Sequence, residues 1–153
     1  MDYLRRIYYA ITNPFTDLYK LIFRPLQWSA LCFIEYNGKF LMEKINYRKR
    51  YWTFPGGGLK KKEKPELGVE REVFEELGMK IKELKYLGPF QNPRPGTNNM
   101  IHCFYKKMNN IGGLKIDVDP NEVKQYCWHE LDNLPEPHYP ELPDIIKFFK
   151  EKV

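Results

Sequence analysis

Cysteine is scarce: Cys32, Cys103 and Cys127 are three in number, widely spaced and without a C-x-x-C pair. Neither a disulfide framework nor a zinc ribbon is supported, and reduced thiols in a cytoplasmic protein are the expectation. Long apolar runs are missing too. No stretch reaches the length of a membrane span, and the N-terminus has Asp2, Arg5 and Arg6 with no long apolar core or small-residue cleavage site, so neither a spanning helix nor a secretory signal is expected. Glycine contributes only 10 of 153 residues against 16% aromatics, a composition that excludes a disordered or low-complexity chain. His102, His129 and His138 have no metal-ligand spacing, and no Ser/His/Asp or Cys/His nucleophile arrangement can be read.

What is present suits one compact domain, since 153 residues at 42% apolar supply a single core and leave two domains cramped. Lys and Arg number 25 against 20 Asp and Glu, a net charge of +5. That balance favours anionic partners, whether phosphorylated small molecules, nucleic acid or acidic lipid. No nucleic-acid recognition module is visible, so no specific nucleic-acid partner is expected.

The chain divides near residue 26. Leu4, Ile7, Tyr8 and Ile11 are spaced for one helical face, Asn13-Pro14 interrupts, and Phe15, Leu18, Tyr19 and Ile22 repeat the spacing before Arg24-Pro25. Residues 1–26 therefore read as an amphipathic helical extension of two short helices. Packing on the domain or on a second subunit is the favoured role, and peripheral contact with an anionic membrane the minor one.

Residues 27–153 form the second unit. Trp28 to Tyr36, Asn37-Gly38 and Lys39 to Ile45 give a hairpin signal. Tyr51 to Phe54 reads as a short strand and Pro55 to Gly58 as a turn. Residues 65–77 read as a helix opened by Pro65 and stopped by Gly78. Strand-like stretches follow at Lys80 to Leu87, Met100 to Lys107 and Val123 to Trp128. A last helix shows Leu142, Ile145, Ile146 and Phe149 on one face. The order predicts an α+β fold.

Chemistry concentrates between Gly57 and Met79. On a helix, Glu72, Glu75 and Glu76 crowd one face while Val69, Val73 and Leu77 line another. Arg71, four residues before Glu75, is the one internal cation, well placed to orient it. Clustered carboxylates are relieved by a hard divalent cation, and Mg2+ takes a few carboxylates plus water and substrate phosphate oxygens. The turn at Pro55 to Gly58 lets backbone approach closely, and its carbonyls are hard oxygen ligands. Glu63 stands on the loop before the helix, as a further ligand or a structural bridge. A P-loop is excluded because no G-K-[ST] follows the glycines, and the dinucleotide fingerprint because Lys61 stands where its third glycine belongs.

Gly57, Glu63, Arg71, Glu72, Val73, Glu75, Glu76, Gly78 and Met79 fall in the order G-x5-E-x7-R-E-apolar-x-E-E-x-G-apolar, which resembles the signature of the Nudix hydrolases. Seven fixed identities by chance amount to about 10^-8 at one starting point. The resemblance covers roughly residues 27 to 150 and implies a mixed β-sheet sandwiched between α-helices. It also implies hydrolysis of a pyrophosphate bond in a nucleoside diphosphate linked to another moiety, dependent on Mg2+ with Mn2+ able to substitute. Glu72 and Glu76 then resemble the main metal ligands, Glu75 a further or water-mediated one, Gly56 a backbone-carbonyl ligand, and Arg71 the residue that holds the glutamates. Glu122 is the candidate proton acceptor from a later loop.

For the substrate, Pro93 and Pro95 lie at the distance past the signature where members acting on ADP-ribose often carry a proline. They lean the reading to ADP-ribose or another nucleotide sugar, with nucleoside triphosphates as the alternative. Arg94, Arg50 and Tyr51 are the candidate substrate contacts. A homodimer is plausible because the family often forms one. The competing reading is a nucleotide-sensing domain without turnover.

Overall fold

The computed structural model describes residues 26–46, 50–92, 98–111 and 116–153. The expected N-terminal helices, Arg94 and the two proline markers Pro93 and Pro95 lie outside these residues.

Strands β1 (Gln27–Tyr36) and β2 (Lys39–Ile45) are joined by Asn37 and Gly38, both at positive φ (50° and 77°), the geometry a two-residue hairpin demands. Their pairing is confined to Glu35 with Phe40 and Tyr36 with Lys39. Beyond that the two strands part. Along one edge β1 runs parallel to β6 (Asn99–Lys107), and along the other it takes β4 (Gly56–Gly58) antiparallel beside Ser29 to Leu31. Strand β2 instead pairs with β3 (Trp52–Thr53) and β7 (Val123–His129). Strand β5 (Lys85–Gln91) finishes the sheet against β6, giving the order β3-β2-β1-β6-β5 with β4 and β7 as branches.

Among the described residues, one helix covers each face. Helix α1 (Pro65–Leu77) starts with Pro at its first position and ends at Gly78, whose φ of 66° turns the chain while its N–H donates to the Phe74 carbonyl at 2.9 Å. Its buried Val69, Val73 and Leu77 pack on Ala30, Cys32 and Leu41. Helix α2 (Leu142–Lys152) buries Leu142, Ile145, Ile146 and Phe149 on the opposite face, with Phe149 stacked on Phe33 at 4.3 Å between ring centroids. The sheet therefore lies between helices, as the resemblance implies, within the α+β order that the residues predict. Among the described residues no helix is long and apolar enough to cross a membrane.

Three local readings are corrected. The glycines after Pro55 are strand β4 rather than a free turn, because the departure of β2 leaves that edge of β1 unpaired and bare backbone fits there. Tyr51 lies outside β3, which is confined to Trp52–Thr53. The expected strand from Lys80 to Leu87 begins at Lys85 and runs on to Gln91. Met79 and Ile81 are buried in the α1-side core, so their apolar spacing anchors a connection to the core instead of forming a ladder.

Candidate active site

Helix α1 presents Glu72 and Glu76 one turn apart on the same face. Glu122 comes to them from the turn before β7. The Asp117 and Asp119 N–H groups donate to the carbonyls of Leu77 (2.9 Å) and Glu76 (3.0 Å), so the incoming loop satisfies carbonyls that the helix end leaves open. Asp119 Oδ1 accepts from the Asn121 N–H at 2.8 Å, the Glu122 and Val123 N–H groups return to the Asp119 carbonyl, and the Asn46 N–H at the end of β2 donates to the Glu122 carbonyl at 2.7 Å. With its backbone fixed in this way, Glu122 offers an oxygen within 4.8 Å of oxygens from Glu72 and Glu76.

Two glycines let the sheet approach. The Gly56 N–H donates to Glu76 Oε2 at 3.1 Å. Its φ is 141°, and an added Cβ would lie 2.2 Å from the Ala30 carbonyl oxygen, so glycine is required by both conformation and space. At Gly57 an added Cβ would lie 2.6 Å from Glu72 Cδ.

Arg71 binds the signature together. Its Nε and Nη2 donate to the two oxygens of Glu63 at 2.8 and 2.9 Å, Nη1 to Glu72 Oε1 at 2.7 Å and to Glu75 Oε2 at 2.8 Å, and Nη2 also to the Gly58 carbonyl at 3.1 Å. The Lys60 N–H adds a bond to Glu63 Oε2 at 2.8 Å. These donors, Arg71 first, hold the Glu63 carboxyl down at about 2. Glu63 is thus placed as a bridge between loop and helix. Glu75 is 48% exposed and held by Arg71, outside the group formed by Glu72, Glu76 and Glu122.

A fourth carboxylate, absent from the sequence reading, lies behind this group. Glu43 sits on β2 opposite Thr53 and Tyr126, fully buried, and neither of its oxygens has a hydrogen-bond partner. Its signal in the sequence is a lone acid inside the strand Phe40-Leu41-Met42-Glu43. Burial is the largest influence raising the Glu76 carboxyl above the ordinary carboxylate range, with the charge of Glu43 next. Burial likewise raises Glu43, and the charges of Glu122 and Glu72 add to it. Converging carboxylates that are buried and mutually repelling suit a hard divalent cation. Glu72, Glu76 and Glu122 are the residues whose geometry would hold it.

Beside the group opens a cavity of about 1040 Å³ whose walls include Trp28, Gly56 to Gly58, Lys60 to Lys62, His102 and Tyr139. Gly57 belongs to both, lining the cavity while its α-carbon faces Glu72. Trp28 is 46% exposed and stacks on His102 with ring centroids 5.5 Å apart and planes 20° from parallel. His102 Nδ1 shares a hydrogen bond of 2.7 Å with the Tyr86 hydroxyl, and partial burial lowers the His102 pKa, favouring the neutral ring. This aromatic surface is also absent from the sequence reading. Arg50, exposed, and Tyr51, whose ring lies 5.0 Å from that of Tyr139, are not among the cavity walls.

The profile of the NUDIX domain matches residues 25–149. The NAD-capped RNA hydrolase NudC of Salmonella agona (strain SL483) is 30% identical over 95 residues, covering 62% of this chain and 35% of the relative. The chain thus spans about a third of the length of that curated relative. Among solved structures, a MutT NUDIX hydrolase from Burkholderia pseudomallei superposes with a TM-score of 0.68 at 22% identity, covering 84% of this chain and 98% of that one. A bifunctional NMN adenylyltransferase/ADP ribose pyrophosphatase from Francisella tularensis, complexed with AMP and a Mn ion, gives 0.73 at 19% identity, covering 92% of this chain and 47% of that one. The chain belongs to the NUDIX domain family.

Proposed function

We propose that the protein is a divalent-metal-dependent pyrophosphohydrolase acting on a nucleoside diphosphate linked to another moiety, with Mg2+ as its ordinary cation and Mn2+ as a substitute. The observation that carries this reading is the meeting of Glu72, Glu76 and Glu122 within 4.8 Å beside a cavity of about 1040 Å³. A cavity of that size accommodates a dinucleotide-sized ligand. The chemistry supplied by a divalent cation at such a site is charge neutralisation on the pyrophosphate oxygens and acidification of the attacking water.

The residues divide the remaining work. Glu72 and Glu76, fixed by Arg71 and by the Gly56 N–H, hold the charge of the site in place. The Gly56 carbonyl adds a neutral oxygen ligand. Glu122, on the late turn, would give one carboxylate oxygen to the cation beside Glu72 and Glu76 and leave the other to accept the proton of the attacking water. Glu75 acts at longer range, through water, from its place beside Arg71. Trp28 and His102 give a nucleobase a face on which to stack. Lys60, Lys61 and Lys62 on the cavity wall draw polyphosphate toward it.

A two-part substrate is favoured over a nucleoside triphosphate because the cavity continues from the glycines of β4 to the aromatic surface at Trp28. Relatives named for ADP-ribose and for NAD-capped RNA agree with that preference. The test is product release from ADP-ribose, other nucleotide sugars, NAD-type dinucleotides, NAD-capped RNA and nucleoside triphosphates, with and without Mg2+. Cleavage of one two-part class only with Mg2+, lost in Glu76→Gln, is expected. Full turnover by a folded Glu76→Gln variant would refute the metal assignment, and binding without cleavage anywhere would give the site to a sensor.

A further inference from the structure

Glu43 has no counterpart in the signature between Gly57 and Met79, and nothing in the fold explains its presence. It lies on a strand flanked on both sides, with Thr53 of β3 opposite it along one edge and Tyr126 of β7 along the other. Its neighbours Leu41 and Met42 are fully buried in the two cores. A valine or leucine would fill such a place at no electrostatic cost. A carboxylate there, wholly shielded from water and with neither oxygen reached by a hydrogen-bond donor, is destabilising as an anion unless a cation reaches it or it shares a proton with Glu76. Among the described residues, the groups that bear on it electrically are Glu76, Glu122 and Glu72, so its surroundings are acidic. Among the described residues no cationic side chain is one of them.

We infer that Glu43 is a fourth carboxylate of the divalent-cation site, supplied from inside the sheet behind Glu76. This deepens the proposed function and rests on it. Glu72, Glu76 and Glu122 form one compact triangle, and Glu43 stands outside that triangle on the side of Glu76. It therefore acts on the cation by way of Glu76 and the cation's water shell, as a positioning residue that adds negative charge where water is excluded. The consequence is a site of higher charge than the signature alone gives, one that binds its cation more tightly and leaves the metal-free domain less stable. Partners of this kind behind a metal ligand change affinity by about 10- to 100-fold.

The test is Mn2+ binding by the full chain, measured by calorimetry and by the EPR signal of free Mn2+, together with melting temperatures with and without Mn2+. Glu43→Gln keeps the shape, Glu43→Leu replaces the acid with an apolar side chain, and Glu43→Asp keeps the charge. The Gln and Leu variants are expected to bind Mn2+ at least about tenfold more weakly, with metal-free melting temperatures equal to or above that of the original chain and a smaller rise on adding Mn2+. The Asp variant should recover part of the affinity. Unchanged Mn2+ affinity in Glu43→Gln or Glu43→Leu, or a fall in metal-free stability as the sole effect, would overturn the inference. Glu76→Gln serves as the reference: if it loses Mn2+ while the Glu43 variants keep it, the inference about Glu43 alone fails. If Glu76→Gln also binds Mn2+ normally, the proposed function fails with it.

Discussion

Replacing Gly57 by alanine should separate the fold from the metal site. The new methyl would lie 2.6 Å from Glu72 Cδ and 2.8 and 2.9 Å from its two oxygens, whereas carbon atoms in contact rest at about 3.5–4.0 Å. The Glu72 carboxylate must therefore retreat by about 1 Å, and it can, because it is the end of a side chain. Overpacking of this kind costs about 1–3 kcal/mol, with the low end expected here. A displacement of about 1 Å at a reacting centre, in contrast, costs about 100-fold in rate. Gly56→Ala is the control with the opposite outcome: its methyl would meet the Ala30 carbonyl oxygen at 2.2 Å and Leu31 Cα at 2.7 Å, both backbone atoms of β1, at a φ of 141°. That strand cannot yield, and loss of more than about 3 kcal/mol is expected from strain and overlap together. Urea unfolding, Mn2+ calorimetry and turnover of the preferred substrate distinguish the two. A Gly57→Ala protein with the original Mn2+ affinity and turnover would refute the argument, as would a Gly56→Ala protein of unchanged stability.

Further outcomes follow from the same geometry. Arg71→Lys keeps the charge but loses the fork that serves Glu63, Glu72 and Glu75 at once; with Arg71 19% exposed the loss of these charge-assisted hydrogen bonds is expected to cost about 1.5–3 kcal/mol by urea unfolding, and a change below about 0.5 kcal/mol would contradict the network. Glu63, held at about 2 by Arg71 and the Lys60 N–H, adds stability that is fully present above its unfolded value of 4.5 and is lost as pH falls toward 2. Glu63→Gln should therefore flatten the acid limb of stability against pH, and an unaltered limb would count against the assignment. Trp28→Ala should raise KM about 5- to 100-fold, the range for losing one base stack, with kcat nearly unchanged; an unchanged KM would remove the nucleobase from that surface.

Much of the architecture is legible in the residues. Asn37-Gly38 fixes the hairpin because few other pairs tolerate its backbone, and Pro65 and Gly78 bracket α1 because each suits only one end of a helix. Strand β4 is hidden because three glycines in a row have the composition of a turn, and only the parting of β1 from β2 makes that backbone pair. Lys80 to Leu84 mislead for the converse reason, since apolar residues that bury in a core alternate like a strand whether or not a partner lies alongside. The carboxylates of α1 are readable from helical spacing. Glu122 can be nominated only by resemblance to a family, because it reaches α1 through carbonyl bonds from Asp117 and Asp119 that no periodicity encodes. Glu43 and the stack of Trp28 on His102 depend on strands distant in sequence, and local pattern is silent on both.

The assignment of Glu72, Glu76 and Glu122 to a single cation is tested most directly by crystals of the full chain grown with Mn2+ and an anomalous difference map. One strong peak bonded to oxygens of all three glutamates, next to the cavity at Gly57, is the predicted result. A peak elsewhere, or an empty map at this site with Mn2+ in excess, would contradict it.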